Sequence, residues 1–160
     1  MMLRVEKLRK KMQEENLDSF LVTSPYNLRY LTNFTGTTGL AVITLEKAFF
    51  ITDFRYTEQA AAQAQGFEII KNVGPIFDEV ANLVRKEELH SLAFEETTVS
   101  FLEYSVLEEI IDAELVPVSQ MIEELREVKD EEEIAIIEKA CHIADMAYDH
   151  ILKIDRKSVV

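Results

Sequence analysis

An aspartate, an arginine and a tyrosine follow one strongly apolar segment of the chain. The segment AFFIT (residues 48–52) leads directly into Asp53, Arg55 and Tyr56. The planar guanidinium of arginine suits a carboxylate, which it can hold through two parallel hydrogen bonds. The end of a strand is also where α/β sheets commonly bind ligands. Two interpretations stay open: Arg55 binds a ligand, or it forms a structural ion pair at a corner between a strand and a helix.

Two further carboxylates, Glu95 and Glu96, lie at the end of another predicted strand. Together with Asp53 they raise a second hypothesis, because nucleases of the ribonuclease H type hold two metal ions between carboxylates at strand ends. The formal net charge of −13 argues against it, since a nucleic-acid partner requires clustered lysine and arginine. The same charge argues against an anionic membrane surface. We therefore predict neither nucleic acid nor membrane as a partner.

Other reactive groups are few. His90, His142 and His150 have no convincing metal-ligand spacing. Cys141 is the single cysteine, so an internal disulfide is impossible, and it lies on an apolar helix face where we expect a small core residue. Neither a nucleophile elbow nor a phosphate-binding or dinucleotide-binding glycine motif is present. We predict that this chain holds no catalytic residue, metal ion or cofactor of its own.

The start of the chain is charged and resembles no secretory signal. Residues 1–16 contain no apolar core segment, and no apolar run reaches the roughly 18 residues that a membrane-spanning helix needs. The 160 residues, 48% of them hydrophobic, are enough to bury a core. These features favour a cytoplasmic globular protein.

Apolar segments alternate with helical periodicities along most of the chain. Strands are predicted at residues 19–24, 40–44, 48–52, 67–72, 91–96 and 114–118, and helices at 2–16, 55–65, 76–88 and 100–111. The link LEK between the second and third strands predicts an antiparallel hairpin. Pro117 predicts that the last strand lies at an edge of the sheet. The alternation predicts an α/β fold, a three-layer sandwich in which helices flank a mixed sheet of about six strands.

The last part of the chain has a different pattern. Asp130 and Glu133 form a pair typical of a capping box at the start of a helix predicted over residues 130–153. Two apolar rows give this helix a wider face than a surface helix needs. It either packs on the protein's own sheet or contacts a partner that the chain lacks. We expect one domain at 1–125 and a connector region at 126–160.

Three motifs in this order resemble the N-terminal domain of the creatinase/prolidase/aminopeptidase P family. They are YLTNFTGTTGLAVIT, AFFITDFRYTEQA and REVKDEEEIAIIEKA. The matching positions are Tyr30, Thr32, Phe34, Gly36, Thr52, Asp53, Arg55, Tyr56, Gln59, Ala60, Arg126, Lys129, Glu133 and Ile134. Asn33 stands where the family usually has glycine, which affects the flexibility of the loop. The resemblance covers about residues 3–153.

The resemblance implies a ribonuclease H-like fold and a non-catalytic role. Family members are hydrolases that remove the residue before a proline or split an Xaa-Pro dipeptide. Their C-terminal peptidase domain binds a pair of Mn, Co or Zn ions. That domain is outside this chain and would be its partner, with the helix at 130–153 as the connector, so the chain resembles a fragment or an isolated domain. The resemblance also implies a homodimer, in which the N-terminal domain covers the neighbouring active site and its proline-containing peptide.

Within that dimer the resemblance implies roles for two groups of residues. Arg55, Tyr56 and Phe34 are candidates for binding the substrate of the neighbouring subunit. The positions expected to serve as structural motif residues are Asp53, Gly36, Arg126, Lys129 and Glu133. A stand-alone binding or interaction module remains an alternative beside the nuclease.

Overall fold

The computed structural model describes residues 2–154 and contains one six-stranded sheet with helices on both faces. The strands are β1 (Ser19–Val22), β2 (Leu40–Thr44), β3 (Ala48–Thr52), β4 (Glu68–Lys71), β5 (Ser91–Glu95) and β6 (Glu114–Val118). The helices are α1 (Met2–Glu14), α2 (Pro25–Thr32), α3 (Thr57–Gln63), α4 (Ile76–Lys86), α5 (Phe101–Ile110), α6 (Met121–Glu127) and α7 (Glu131–Ile154). The predicted α/β class is confirmed.

The sheet is mixed because β2 runs against its neighbours. The strand order is β4-β3-β2-β1-β5-β6. β2 pairs antiparallel with β1 and β3, and the other pairs are parallel, which confirms the predicted hairpin. Pro117 lies in β6, an edge strand as predicted, where its missing N–H costs no ladder hydrogen bond. All strands except β2 therefore end on the same side of the sheet.

Each central strand is buried on both faces. Phe49 and Ile51 pack in the apolar cluster with α4 and α5, whereas Phe50 packs in the cluster with α1 and α2. Side chains of successive strand residues point to opposite faces, so a continuous apolar segment fills both layers at once. The three-layer sandwich predicted from the sequence is confirmed.

α2 is capped at both ends. The hydroxyl of Ser24 accepts a hydrogen bond from the Asn27 N–H, and Pro25 occupies the first turn, where its missing N–H is not needed. Asn33 ends the helix in the left-handed region at φ 58°. Asparagine tolerates this region better than other non-glycine residues, which explains how it replaces the family's usual glycine.

The chain divides into two compact units between Arg126 and Glu127. The division falls at the last residue of α6, a short helix that the sequence pattern did not predict. In the second, Asp130 and Glu133 exchange backbone-to-carboxylate hydrogen bonds of 2.9 and 3.0 Å, as the capping pair predicted. No residue of α7 is buried. The expectation that Cys141 is a core residue is wrong, because its helix face is exposed.

None of the helices within residues 2–154 is long and apolar enough to cross a membrane.

Candidate functional site at the carboxyl rim

The candidate residues lie on the side of the sheet where the parallel strands end. We call this side the carboxyl rim: the loops that follow β1, β3, β4 and β5, together with the loop before β2 (residues 33–39). Asp53, Arg55 and Tyr56 occupy the turn between β3 and α3. This turn contacts the loop at 33–39, because β2 and β3 are hairpin partners.

Arg55 and Asp53 form a two-point ion pair. The Arg55 Nη2 donates to Asp53 Oδ2 at 2.6 Å, and Nε donates to Oδ1 at 3.1 Å. The backbone N–H of Arg55 also donates to Asp53 Oδ1 at 2.9 Å. Both residues lie beyond the end of β3, in the turn that leads into α3. The structural pair that the sequence left open is therefore formed.

The pair has a defined electrostatic state. The hydrogen bond from the Arg55 side chain lowers the pKa of the Asp53 carboxyl, and the same bond raises the pKa of the guanidinium. The Arg55 side chain is 59% exposed, and its Nη1 donates no hydrogen bond to any residue in the part of the chain that the structure describes. Arg55 therefore keeps donors free for an oxygen atom that arrives from outside.

Asp53→Asn is expected to make the stability of the folded protein depend less on acidic pH. Because the folded-state pKa of Asp53 is lowered, the ionised carboxyl contributes stability above its unfolded pKa of about 3.9, and this contribution is lost as the pH falls through the folded pKa. Because the pair is exposed on the arginine side, the variant should melt slightly below the parent near pH 7 and converge with it near pH 2. Thermal unfolding across this range measures the difference. Glu109→Gln, an exposed control, should follow the parent; equal behaviour of the two variants would contradict the pairing.

Tyr56 is positioned by aromatic packing. Its ring meets the ring of Phe34 edge-on at 5.7 Å, and Phe34 in turn packs at 4.7 Å from Phe50 in the core. The Tyr56 hydroxyl lies 2.9 Å from Thr37 Oγ1. Phe34 is only 2% exposed, so its ring supports Tyr56 from below and does not itself reach the surface.

Gly36 is required by close contact with these rings. A Cβ at this position would lie 2.8 Å from Phe34 Cε1 and 2.9 Å from Tyr56 Cδ1. Gly36→Ala should therefore lower the free energy of unfolding by about 1–3 kcal/mol through overpacking, as measured by urea denaturation. Gly74→Ala is the control, since the nearest atom to its added Cβ would be Asp78 Oδ2 at 3.9 Å. A similar loss in both variants would contradict this reason for the glycine.

Hydrogen bonds from β3 and α3 hold the loop at 33–39. Gln59 Nε2 donates to Thr35 Oγ1 at 3.0 Å, and Gln63 Oε1 accepts from the Thr35 N–H at 3.0 Å. The buried Thr52 hydroxyl donates to the Thr38 carbonyl at 2.6 Å. The loop that lies beside Arg55 and Tyr56 is therefore held in place by β3 and α3.

Glu95 belongs to a second, buried network at the same rim. It is 4% exposed, and its Oε2 accepts from the N–H groups of Thr23 and Ser24 at 2.6 and 2.7 Å. Its Oε1 accepts from Asn27 Nδ2 at 2.6 Å. Asn27 also accepts from Arg126 Nη1 at 2.9 Å, which joins α6 to α2. Sequence reasoning missed Asn27, for which the only signal was the helix start at Ser24-Pro25.

The rim does not bring the three carboxylates of the nuclease hypothesis together. Asp53 follows β3 and Glu95 ends β5, three positions apart in the sheet, which is about 14 Å at the usual strand spacing. Glu96 uses its backbone N–H to bond the Val118 carbonyl. Among the described residues no group of three His, Cys, Asp or Glu side chains could hold a metal ion.

The remaining motif residues lie at the junction that follows α6. Lys129 Nζ donates to the Glu127 carbonyl at 3.0 Å, and Glu133 accepts from the Asp130 N–H at the start of α7. Both contacts are local and lie at helix termini. In the structure, Lys129 and Glu133 are therefore residues of helix ends.

Comparisons with known proteins identify the family. The family model described as the creatinase/prolidase N-terminal domain matches residues 4–128. The chain is 47% identical over 151 residues to an uncharacterised peptidase, YqhT, of Bacillus subtilis, covering 94% of this chain and 43% of that protein. It matches the structure of an Xaa-Pro dipeptidase from Bacillus anthracis with a TM-score of 0.93 and 44% identity, over 96% of this chain and 43% of that one.

A third similar structure comprises such a domain by itself. It is the N-terminal domain of the cytoplasmic peptidase PepQ from Mycobacterium tuberculosis H37Rv, with 29% identity, a TM-score of 0.71, and coverage of 77% of this chain and 98% of that one. Against the two Bacillus proteins, in contrast, the chain spans less than half of the length. By the family match and these similarities, the chain belongs to the creatinase/prolidase N-terminal domain family.

Proposed function

We propose that this chain is the non-catalytic N-terminal domain of an Xaa-Pro peptidase, an aminopeptidase or a dipeptidase. One observation carries the proposal: nearly the whole chain superposes on the Bacillus anthracis Xaa-Pro dipeptidase, yet it accounts for only 43% of that enzyme. We assign catalysis to the remainder, which we call the peptidase region. The chain contributes to a homodimer and covers the active site of the neighbouring subunit.

The metal pair implied by the family does not fit the residues of this chain. The Asp53 carboxylate is paired with Arg55. Both oxygens of the Glu95 carboxylate already accept hydrogen bonds, from two backbone N–H groups and from Asn27. A metal ion would have to displace these donors, and the described residues offer it no cluster of ligands. We therefore assign the Mn, Co or Zn ions to the peptidase region.

Arg55 and Tyr56 are the residues that would face the substrate. The free Nη1 of Arg55 suits an oxygen of a proline-containing peptide, such as its terminal carboxylate. The guanidinium lies 5.4 Å from the centre of the Tyr56 ring, which helps to orient it. Phe34, buried beneath Tyr56, positions that ring. Asp53 holds the guanidinium in place before substrate arrives.

The same proposal places the protein in the cytoplasm, without nucleic-acid or membrane partners. A net charge of −13 disfavours phosphate-rich surfaces. The Mycobacterium tuberculosis relative is described as a cytoplasmic peptidase.

The chain alone is expected to be inactive toward Xaa-Pro peptides and to retain no metal after dialysis. Metal analysis of the dialysed protein measures the bound metal, and an Xaa-Pro dipeptide assay with added Mn²⁺ then measures the activity. Retention of about two ions per chain, or hydrolysis of the peptide, would refute the non-catalytic assignment. Single-stranded and duplex DNA incubated with the same samples test the nuclease alternative, which requires metal-dependent cleavage.

A further inference from the structure

The short helix α6 joins the first compact unit through both apolar and polar contacts. Its seven residues are far fewer than the roughly 12–15 that a helix needs to form by itself in water. Met121 and Ile122 at its start are buried in the apolar cluster with α1 and α2. Apolar burial has no preferred direction, so the orientation of α6 depends on its polar contacts.

Asn27 is the centre of these polar contacts. It is fully buried, and its Nδ2 donates to Glu95 Oε1 and to Glu123 Oε1, each at 2.6 Å. Its Oδ1 accepts from Arg126 Nη1 at 2.9 Å. The amide therefore uses both of its hydrogens and its oxygen on charged groups. A side-chain amide suits this position because it offers two donors and an acceptor at once.

Half of this network belongs to the sheet and stays complete without α6. Glu95 Oε2 accepts from two backbone N–H groups that follow β1, at 2.6 and 2.7 Å, and its Oε1 accepts from Asn27. The other half comes from α6, which supplies Glu123 and Arg126. If α6 left, the buried Glu95 would keep these three donors, and the outer groups of Asn27 would bond to water.

The two halves make the docking of α6 an all-or-none step. A polar group that is buried without a partner loses the hydrogen bonds of water, whereas the same group exposed to water keeps them. Asn27 Oδ1 is paired when α6 is in place and hydrated when α6 is absent. A position of α6 that covers Asn27 without bringing Arg126 against it is therefore disfavoured.

Two other contacts to α6 do not supply this selectivity. The Tyr30 hydroxyl donates to the Leu125 carbonyl at 3.1 Å, and Lys11 forms an ion pair with Glu124. The Glu124 side chain is 56% exposed, and exposed pairs contribute little to stability. Both contacts leave the oxygen of the buried amide without a donor, which Arg126 alone provides among the described residues.

We propose that α6 is a strap that can open while the sheet stays folded, and that the hydrogen bond from Arg126 to Asn27 is the latch that holds it closed. Arg126 is the last residue of the first compact unit, so opening shortens the ordered part of that unit to β6. The inference goes beyond the proposed function, because every member of the latch lies in this chain and no peptidase activity is needed to observe it.

Native-state hydrogen exchange of the 160-residue chain tests whether α6 opens by itself. The Glu124 N–H, which bonds to the Gln120 carbonyl at 2.9 Å, reports on α6, and the N–H groups of β2 report on the sheet. Opening of one short helix exposes little surface, so exchange in α6 should depend weakly on urea, whereas exchange in β2 should rise steeply. If α6 shows the full urea dependence of β2, it opens only with the whole fold, and the proposal is overturned.

Arg126→Met tests the latch itself. The variant keeps an unbranched side chain of good helix propensity but leaves Asn27 Oδ1 buried without a donor, so exchange in α6 should accelerate about tenfold or more. Glu127→Gln changes an exposed charge on the same helix and is the control, which should stay within about twofold of the parent. An Arg126→Met chain that exchanges like the control would overturn the latch.

Asn27→Leu separates the latch from general packing. In this background Arg126→Met leaves no amide oxygen unpaired, so its additional effect on exchange in α6 should be less than about threefold. A further tenfold acceleration would show that Arg126 holds α6 through another contact and would overturn the role of Asn27. If the Asn27→Leu chain does not fold, the urea dependence in the parent and the comparison of Arg126→Met with its control still decide the proposal.

Discussion

Phe50→Ala is expected to lower the free energy of unfolding by about 3–5 kcal/mol. Phe50 is fully buried in the centre of β3, and its ring packs 4.7 Å from that of Phe34. Gly39 approaches the same ring so closely that a Cβ there would lie 2.6 Å from its Cζ. Strands on both sides of β3 prevent the site from collapsing, so the cavity stays. Urea denaturation of the chain, followed by circular dichroism, gives the value.

Two further phenylalanine variants test whether the loss of stability comes from the burial of the ring. Phe101→Ala removes the same side chain from a position that is 85% exposed, and surface changes of this kind usually alter stability by about 0.5 kcal/mol or less. Phe49→Ala, fully buried on the other face of β3, should cost as much as Phe50→Ala. If all three variants unfolded at the same urea concentration, the claim that β3 is buried on both faces of the sheet would be wrong.

We consider a hybrid enzyme in which residues 1–154 replace the matched part of the Bacillus anthracis Xaa-Pro dipeptidase. Arg55→Ala in this hybrid is expected to cost on the order of 2–5 kcal/mol in transition-state stabilisation, or a decrease of about 30-fold or more in kcat/KM. The cost arises because a substrate carboxylate would remain covered without its partner. Arg55→Lys keeps the charge but loses the planar fork, so it should retain part of the activity. Steady-state kinetics with an Xaa-Pro dipeptide measure both variants.

Stability measurements on the same variants decide between the two roles of Arg55. Its pair with Asp53 is exposed on the arginine side, and exposed pairs contribute little to stability, so the melting temperature should change only slightly. Arg29→Ala, an exposed arginine on α2, is the kinetic control and should keep parental kcat/KM. A large loss of stability in Arg55→Ala with unchanged kcat/KM would show that the residue only braces the turn.

The sheet could be predicted because its strands have unambiguous composition. AFFIT and LAVIT are short, apolar and separated by a hairpin-length link, and each became a strand with the predicted bounds. α6 was missed because its seven residues are too few to show a helical period. Cys141 was misjudged because an apolar row on a helix indicates only that the face suits burial, and α7 has no buried residue.

The candidate site was predictable in position but not in geometry. The sequence located the rim, because Asp53 and Arg55 directly follow a predicted strand. The two-point geometry of their ion pair depends on the backbone path of the turn after β3, which the sequence does not show. Asn27 donates to Glu95 and accepts from Arg126, and these two hydrogen bonds span 68 and 99 residues of chain. Such distant partners leave no local pattern, so only the fold reveals them.

Hydrolysis of an Xaa-Pro dipeptide by the hybrid enzyme and by the chain alone, at equal concentration with added Mn²⁺, tests most directly whether this chain is the non-catalytic domain of a peptidase. The hybrid should hydrolyse the dipeptide, and the chain alone should not exceed the rate in buffer. Hydrolysis by the chain alone, or a folded hybrid without activity, would contradict the assignment.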